Sequence, residues 1–398
     1  MNKIIFLYSR HISKRDYVRN GINNYLKNKV KVEIWHLNML VKRKYNIKEK
    51  FRLKKIKIIN IQNFNHLETL LNKNITNCLY DVRMNYELES RKIFQLLSKY
   101  NVNYLIHPGM VAKDLKHDVN FKDYVRFKLK QLIEGKFLHI KKIILTKIFS
   151  LTDPTLWGIQ KAKYVYIIGK YAYQNRKKIK LVGDRTRPIW GQHRNYDDYL
   201  RKDINKMKVK KKKALFIDQA TPYHPDLVEI GLSDINAKEY YSSIINFLND
   251  LKKQFGYEIE ISCHPKTNQH HIKKYLSNFK IRKGVTLSQV KYSNLVITHN
   301  SGVRNYAVIY KKPIIFIIND CLKNSTYPHH ENTKSIAKFL EKKIINIDSY
   351  SKSDINENLK VNNKVYQNYF TNFIKYKGPK KFQADIIFEQ LKKDKIWI

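Results

Sequence analysis

The stretch between residues 259 and 316 most constrains what this chain can fold into. Apolar runs at 257–262 and 295–297 each end in a polar loop, a segment with helical spacing follows each loop, and a third apolar run ends at Phe316. Apolar runs that alternate with helices predict βαβ units in a parallel sheet. The loops after such strands gather at one edge of the sheet, where ligands bind. The stretch therefore predicts a ligand site built from two neighbouring loops.

The rest of the chain repeats this alternation. In the first half we predict strands at 3–8, 30–37, 56–61, 104–106, 164–168 and 178–182, and helices at 17–27 and 86–100. In the second half we predict strands at 214–217 and 344–347, and helices at 236–255 and 382–391. The predicted fold class is therefore α/β with parallel sheets. A length of 398 residues is enough for two such domains.

The lysine-rich run at 206–213 is the clearest change of composition in the chain. It is either a solvated linker or an electrostatic tether to phosphates or lipid. We place the domain boundary there. We predict a first domain at 1–207, a second domain at 208–375, and a C-terminal helix at 376–398 that packs back on the first domain.

The formal net charge of +45 suggests an anionic partner, which could be nucleic acid, a membrane surface or a phosphorylated substrate. The alternative is that the charge is compositional, because Lys, Asn, Ile and Tyr are abundant throughout, as in proteins from AT-rich genomes. The sequence contains no RNA-recognition signature, zinc finger or recognition-helix module, which disfavours nucleic acid.

The cysteines indicate the compartment. Cys78, Cys263 and Cys321 are far apart and odd in number, which favours a reducing environment. The first ten residues are typical of a strand and not of a signal peptide. No run approaches the ~18 apolar residues of a membrane span. We therefore expect a cytoplasmic protein that contacts the inner face of the cytoplasmic membrane only peripherally.

The segment at 121–149 alternates apolar and basic residues at helical spacing. A basic amphipathic helix can lie on a membrane surface. The alternative is a helix that covers the N-terminal sheet and turns a solvated lysine face outward.

His264, Pro265 and Lys266 form the first polar loop, directly after the strand at 257–262. Proline keeps the preceding histidine out of the helical region and so fixes its direction. A histidine and a lysine at the carboxyl end of a strand can neutralise a phosphate. The alternative is an ordinary loop, since His-Pro also occurs at 107–108 and 224–225.

The second polar loop contains His299, Asn300, Ser301 and Gly302, after the strand at 295–297. We expect Asn300, Ser301 or Gly302 to cap a helix that begins there. The free N–H groups and the positive end of the helix dipole would then bind an anion. The alternative is a plain helix cap.

These motifs, in this order, resemble a known family. A strand ending in His-Pro, a Ser-bearing loop and a later Lys-Pro-Ile-Ile-Phe segment at 312–316 look like the C-terminal domain of GT-B glycosyltransferases. More narrowly, the pattern resembles bacterial transferases of surface-polysaccharide synthesis (capsule and lipopolysaccharide), including sialyltransferases, and the glycerophosphotransferases of teichoic acid synthesis. The resemblance covers roughly residues 212–350.

The resemblance implies roles for the matched residues. In that family a His-Pro motif and a later Ser motif bind the phosphate of a cytidine nucleotide. His264 and Pro265 match the first motif, and Asn300 and Ser301 stand where the family usually has Ser-Ser or Ser-Thr.

The resemblance also implies a fold, in which two Rossmann-like domains face each other across a cleft. The loop after the strand at 214–217 would face that cleft, which makes Asp218, His224 and Asp226 candidates for donor contact. The alternative is a capped turn with surface carboxylates.

A base that deprotonates the acceptor hydroxyl is expected in the N-terminal domain if the reaction inverts. His11, Asp16 and His107 are the candidates, although a lone loop histidine is more often structural. GT-B enzymes generally do without a bound metal, so no cofactor is implied and the nucleotide-sugar donor is a substrate. Lys266, His264 and the helix end at Ser301 would meet the leaving-group charge.

The sequence leaves several functions open. The first hypothesis is a transferase that moves a sugar, such as a sialic-acid-like sugar from a CMP donor, onto a glycan or lipid-linked acceptor. A UDP-sugar-dependent transferase is the second, and a nucleotide-sugar 2-epimerase of the same fold would need a fuller set of carboxylates. The non-enzyme alternatives are a basic nucleic-acid-binding protein and a membrane-associated scaffold for polysaccharide assembly.

Overall fold

The computed structural model describes residues 2–41, 56–74, 78–108, 138–201, 212–224, 235–264, 268–325 and 329–397. The described residues form two compact units. The first unit contains those between 1 and 109, those between 130 and 200, and the C-terminal stretch from 375 onward. The second unit contains those between 201 and 374.

Seven parallel strands form the sheet of the first unit in the order β3-β2-β1-β4-β5-β6-β7, counted over the described residues. Their bounds are β1 Lys3–Tyr8, β2 Lys31–His36, β3 Lys57–Asn60, β4 Cys78–Arg83, β5 Tyr104–Ile106, β6 Tyr164–Ile168 and β7 Arg187–Gly191. The chain leaves β1 in one direction and returns on its other side at β4. The switch point of this sheet therefore lies at the carboxyl ends of β1 and β4.

The helices of the first unit cover the two faces of this sheet. Their bounds are α1 Lys14–Arg19, α2 Ile22–Lys27, α3 Phe64–Asn72, α4 Arg91–Lys99, α5 Leu138–Leu151, α6 Gly169–Gln174, α7 Arg194–Arg201 and the C-terminal helix Gln383–Lys393. The predicted helix at 121–149 is confirmed from residue 138 onward, and its earlier part lies outside the described residues. No helix of the described chain is both long enough and apolar enough to span a membrane.

Two sequence predictions for this unit are wrong. The single helix expected at 17–27 is two helices, because Gly21 takes a left-handed backbone with φ of 62° between α1 and α2. The strand expected at 178–182 is a turn, and the last strand is β7, which carries Pro188. A proline without an N–H group is tolerated there because β7 is the edge strand.

The C-terminal helix completes the core of the first unit. Ile387 and Leu391 are fully buried with Tyr25 of α2, and Trp397 lies edge-on to the Tyr25 ring. The two helices approach so closely at Gly21 that a Cβ there would lie 2.7 Å from Cβ of Ala384. This stretch is therefore part of the first unit although it follows the whole of the second.

The second unit has six parallel strands, in the order β10-β9-β8-β11-β12-β13 among its described residues. Their bounds are β8 Lys213–Ile217, β9 Glu258–Cys263, β10 Lys280–Lys283, β11 Leu295–Thr298, β12 Ile314–Ile318 and β13 Ile344–Asn346. The switch point of this sheet lies at the carboxyl ends of β8 and β11. The α/β class and the parallel sheets are confirmed.

The remaining helices belong to the second unit. Their bounds are α8 Ala237–Phe255, α9 Gln269–Leu276, α10 Thr286–Tyr292, α11 Arg304–Ile309, α12 Asp320–Lys323, α13 His329–Phe339, α14 Lys352–Leu359 and α15 Asn363–Phe373. The predicted helix at 236–255 is confirmed as α8, and the side chain of Asn236 caps its N-terminus.

Candidate functional site

The loops after β8 and β11 meet at the switch point of the second sheet. The backbone N–H of Asn300 donates to Oε1 of Gln219 at 2.8 Å. Ligands bind beside the switch point of an open parallel sheet. The predicted Asn300–Ser301 motif therefore lies where the topology places a ligand, and Gln219 holds its backbone.

Asp218 is buried directly after β8, with 1% of its surface exposed. Its Oδ1 accepts the N–H of Ala220 at 2.9 Å. Burial raises the pKa of this carboxyl to about 7, against the opposing effects of the Ala220 N–H and the Tyr241 hydroxyl. Asp218 is thus an interior carboxyl and not the surface carboxylate of the alternative interpretation. Asp226, further along the same loop, lies outside the described residues.

His299 is also buried, and both of its ring nitrogens have protein partners. Nδ1 lies 2.7 Å from the carbonyl oxygen of Ile317 and must donate to it. Nε2 therefore accepts the hydroxyl proton of Tyr240 at 2.8 Å. Burial lowers the pKa of His299 to about 4, so the ring is neutral. The buried ring of His299 therefore positions the loop after β11. The next residues of that loop, Asn300 and Ser301, can face a ligand.

The structure brings together two predicted histidines, His224 after β8 and His264 after β9. Their ring centroids are 4.9 Å apart, and both side chains are half-buried. Pro265 and Lys266, predicted beside them, lie outside the described residues. The loops after β8, β9 and β11 therefore each supply at least one predicted residue to the same edge of the sheet.

The expected cap of the following helix is wrong. The helix begins at Arg304, its N-cap residue is Val303, and no side chain caps it. The reason is that the chain first makes a turn, in which Oγ of Ser301 accepts the N–H of Val303 at 3.3 Å. Asn300 and Ser301 are half-buried and Gly302 is exposed in this turn.

Arg304 is a candidate that the sequence prediction missed. Its side chain is buried, with 5% exposure. Nε donates to the Tyr369 hydroxyl at 2.8 Å, and Nη1 donates to the Ser301 carbonyl at 2.9 Å. No described carboxylate forms an ion pair with it. A buried charge without a counter-ion costs several kcal/mol, so this position favours a bound anion.

The first unit has its own polar cluster at the switch point, built on Asp81 of β4. Oδ1 of this fully buried carboxylate lies 2.9 Å from Nε2 of His107 and 2.6 Å from Nε of Arg83. Burial alone would raise the pKa of Asp81, but Arg83 and His107 outweigh it and hold it below its usual value. Burial and Arg83 lower the pKa of His107, against the opposing effect of Asp81. Nε2 of His107 and Oδ1 of Asp81 are within ion-pairing distance but are not aligned for a hydrogen bond. A neutral His107 beside this buried carboxylate can accept a proton.

The other two predicted bases lie in the loop after β1, where Asp16 has partners in its own loop and His11 lies beside His36 of β2. Asp16 forms the capping box of α1 with Ser13 and pairs with Arg10 at 2.8 Å. Nδ1 of His11 lies 3.1 Å from Nδ1 of His36, whose Nε2 accepts the N–H of Ile12. His36 must therefore carry its proton on Nδ1, and Oδ1 of Asn60, 2.9 Å away, accepts it. Of the three candidates, His107 is the one beside a fully buried carboxylate.

Within the part of the chain that the structure describes, no group of three or more His, Cys, Asp or Glu side chains could hold a metal ion.

Comparisons with known proteins identify the fold and no closer relationship. No protein-family model matches the sequence, and no curated protein sequence matches it significantly. CalG4, the calicheamicin glycosyltransferase, is similar in structure with a TM-score of 0.51 at 8% identity, over 99% of both chains. This likeness shows the fold alone, and it agrees with two Rossmann-like domains of the GT-B kind.

Two further solved structures resemble the chain with lower scores. A variant of the wall teichoic acid polymerase TagF has a TM-score of 0.48 at 15% identity, over 99% of this chain and 89% of that one. The UDP-GlcNAc 2-epimerase of Methanocaldococcus jannaschii has a TM-score of 0.46 at 13% identity, over 98% of this chain and 100% of that one.

Proposed function

We propose that this protein is a glycosyltransferase of the GT-B type that moves a sugar from a nucleotide donor onto a surface glycan or lipid-linked acceptor. The observation that carries the proposal is the contact between Asn300 and Gln219 at the switch point. The buried cation Arg304 lies next to Asn300. A phosphate there would complete the loop and supply the missing negative charge. The resemblance of His264-Pro265 and Ser301 to cytidine-nucleotide motifs favours a CMP donor with a sialic-acid-like sugar.

The donor residues act on the leaving group. When the bond between the anomeric carbon and the phosphate oxygen breaks, the nucleotide leaves with the electron pair and gains negative charge. Arg304, with His264 and Lys266, would stabilise this charge without a metal or other cofactor. The neutral His299 and the interior Asp218 position the two loops.

The acceptor is activated by His107. The hydroxyl proton of the acceptor passes to His107 as the oxygen attacks the anomeric carbon, and Asp81 stabilises the imidazolium that forms. A single displacement of this kind inverts the configuration of the sugar. Arg83 keeps Asp81 ionised, since it pairs with the carboxylate on both oxygens.

A nucleotide panel tests the proposal on the intact chain. Thermal unfolding is followed with CMP, CDP, UMP, UDP and a short RNA, and turnover of the matching nucleotide-sugar follows. A ligand at about 100 times its Kd stabilises the folded state by about 2.7 kcal/mol. We expect one cytidine nucleotide to raise Tm and its sugar derivative to be consumed. Stabilisation by RNA alone, or by no nucleotide, would overturn the proposal.

A further inference from the structure

Large apolar side chains are exposed on one part of the first unit, which we call the apolar edge. It contains Ile144, Leu145, Ile148, Leu151 and Leu156, exposed by 54%, 40%, 45%, 66% and 76%. These are five of the eight exposed large hydrophobic residues in the described chain. Scattered apolar residues on a surface need no explanation, but a cluster of this kind marks an interaction site.

The apolar edge exists because helix α5 is held by its opposite side. Phe149 is buried, and its ring packs 4.6 Å from the Tyr86 ring and 5.4 Å from the Trp157 ring between centroids. Ile144, Ile148 and Leu151 follow each other at spacings of four and three residues, so they form one stripe along the helix. This stripe faces away from the buried ring of Phe149. Over residues 144–151 the helix is therefore anchored through Phe149, while Ile144, Ile148 and Leu151 stay exposed.

Leu156 extends the stripe beyond the end of the helix. It lies in the 3₁₀ turn Pro154–Trp157, which Asp153 begins by accepting the N–H of Thr155 at 2.9 Å. Leu156 and Leu151 are the two most exposed members of the edge.

Positive charge surrounds the apolar edge. Between residues 138 and 163 the sequence has five lysines and one acidic residue, Asp153. Lys161 pairs with that aspartate at 2.6 Å, so these two charges offset each other. Lys180 binds the carbonyl oxygen of Leu151 at 2.7 Å, at the end of the helix. Lys147 and Lys163 are exposed, so the apolar edge has basic neighbours along the chain.

We propose that the apolar edge docks this protein onto an anionic lipid surface. Aliphatic side chains enter the boundary of the bilayer, while lysines extend their ammonium groups to the acidic headgroups. Each lysine near an anionic membrane adds to the attraction. A second copy of this chain is a poor partner, because its own edge is equally basic and its net charge is also +45. This inference goes beyond the proposed function and does not depend on it.

Vesicle co-sedimentation of the intact chain tests the proposal. The vesicles consist of phosphatidylcholine alone or of phosphatidylcholine with phosphatidylglycerol. We expect binding to the mixed vesicles only, and weaker binding as salt is raised. The double substitution Leu151→Gln with Leu156→Gln should lower the partition coefficient about tenfold or more, since both side chains leave the lipid boundary.

A matched control is available elsewhere on the surface. Met39→Gln with Val18→Gln also removes two exposed apolar side chains, 59% and 45% exposed, outside the edge. This control should bind like the parent chain. Circular dichroism and Tm should be unchanged in both double variants, because neither removes a buried group.

Three results would overturn the proposal. The first is equal binding to neutral and mixed vesicles, or binding to neither. The second is an equal loss of binding in the edge variant and the control variant. The third is a dimer in sedimentation velocity that the edge variant abolishes, which would assign the surface to a second copy.

Discussion

Nε2 of His107 lies 2.9 Å from Oδ1 of Asp81, the fully buried carboxylate at the switch point of the first sheet. Burial with Arg83 keeps the pKa of the ring below its ordinary value of 6.5, so the ring is mostly neutral above that pH. This pair gives the proposed transferase a neutral base beside a buried carboxylate.

The substitution His107→Gln should lower kcat of transfer by about 10²- to 10⁴-fold, the usual contribution of a general base. Nucleotide binding should remain, because the donor residues belong to the other unit. The measurement is kcat for transfer beside Kd for the nucleotide. His66→Gln, a histidine outside the cluster, serves as the control. Unchanged transfer by the His107 variant would remove His107 from the mechanism.

The substitution Asp81→Asn removes the negative charge beside His107 and keeps a side chain of the same shape. Since Asp81 raises the pKa of His107, its loss should shift the acidic limb of the kcat profile to lower pH. The plateau should also fall, because the imidazolium that forms during transfer loses its counter-charge. A profile that keeps its acidic limb in place would contradict the pairing.

How much of this cluster the sequence predicts depends on the residue. His107 is a candidate because it follows an apolar strand. Strand β4 was missed, because Asp81 and Arg83 interrupt its apolar pattern. Their burial is possible because the two charges neutralise each other, and their pairing has no signal in the local sequence.

In the second unit, too, the sequence predicts some features of the candidate site and misses others. The apolar strands β8, β9 and β11 are predictable, and their order places the loops. The turn before Arg304 was not predicted, because local sequence does not distinguish a turn from a cap at 300–302. In the sequence, Arg304 looks like any solvated basic residue. Its hydrogen-bond partner Tyr369 lies 65 positions later in the chain. A basic residue among Val303, Tyr306 and Ala307 is the one signal that could have marked it.

The substitution Arg304→Met tests the buried cation. Loss of a charge-assisted hydrogen bond costs about 1.5–3 kcal/mol, so nucleotide Kd should rise by about 10- to 100-fold. The free protein should keep its stability or gain some, because an uncompensated buried charge is removed. Isothermal titration and denaturant unfolding measure the two effects.

Arg282→Met is the matched control for that variant. Arg282 is on the edge strand β10, half exposed and paired with Glu260. Its substitution should leave nucleotide Kd unchanged. If Arg304→Met weakened the free fold and left Kd unaltered, Arg304 would be purely structural.

The substitution Tyr240→Phe tests the interior position of His299. It leaves the Nε2 lone pair of a buried ring without its donor, which should cost about 1–3 kcal/mol of unfolding free energy. Tyr25→Phe is the control, because the buried Tyr25 hydroxyl has no hydrogen-bond partner among the described residues. Denaturant unfolding compares the two. An equal effect in both variants would show that His299 does not depend on Tyr240.

His299 also makes stability depend on pH. Burial lowers its pKa in the folded state from 6.5 to about 4. Between these values the unfolded chain binds a proton that the folded protein does not bind, so stability falls as pH drops from about 6.5 toward 4. Proton NMR of the His299 ring should show no titration above about pH 5. A ring that titrates near 6.5 would place His299 in contact with solvent.

Asp218 gives the opposite dependence. Its pKa is raised from 3.8 to about 7 by burial, so the folded protein holds a proton at pH values where the unfolded chain has released it. Stability from this group is present in acid and is lost as pH rises from about 4 through 7. A shift of this size corresponds to about 4 kcal/mol, as an upper estimate.

The substitution Asp218→Asn keeps the shape of the side chain and an oxygen for the N–H of Ala220. It should change stability little at pH 5 and should stabilise the protein by a few kcal/mol above about pH 8, where the parent carries a buried charge. Urea unfolding at both pH values gives the comparison, and the difference between variant and parent cancels the titration of all other groups. Asp184→Asn, at an exposed aspartate, should show no such pH-dependent difference. If Asp218→Asn destabilised the protein equally at both pH values, the carboxyl would be ionised and paired in the folded state.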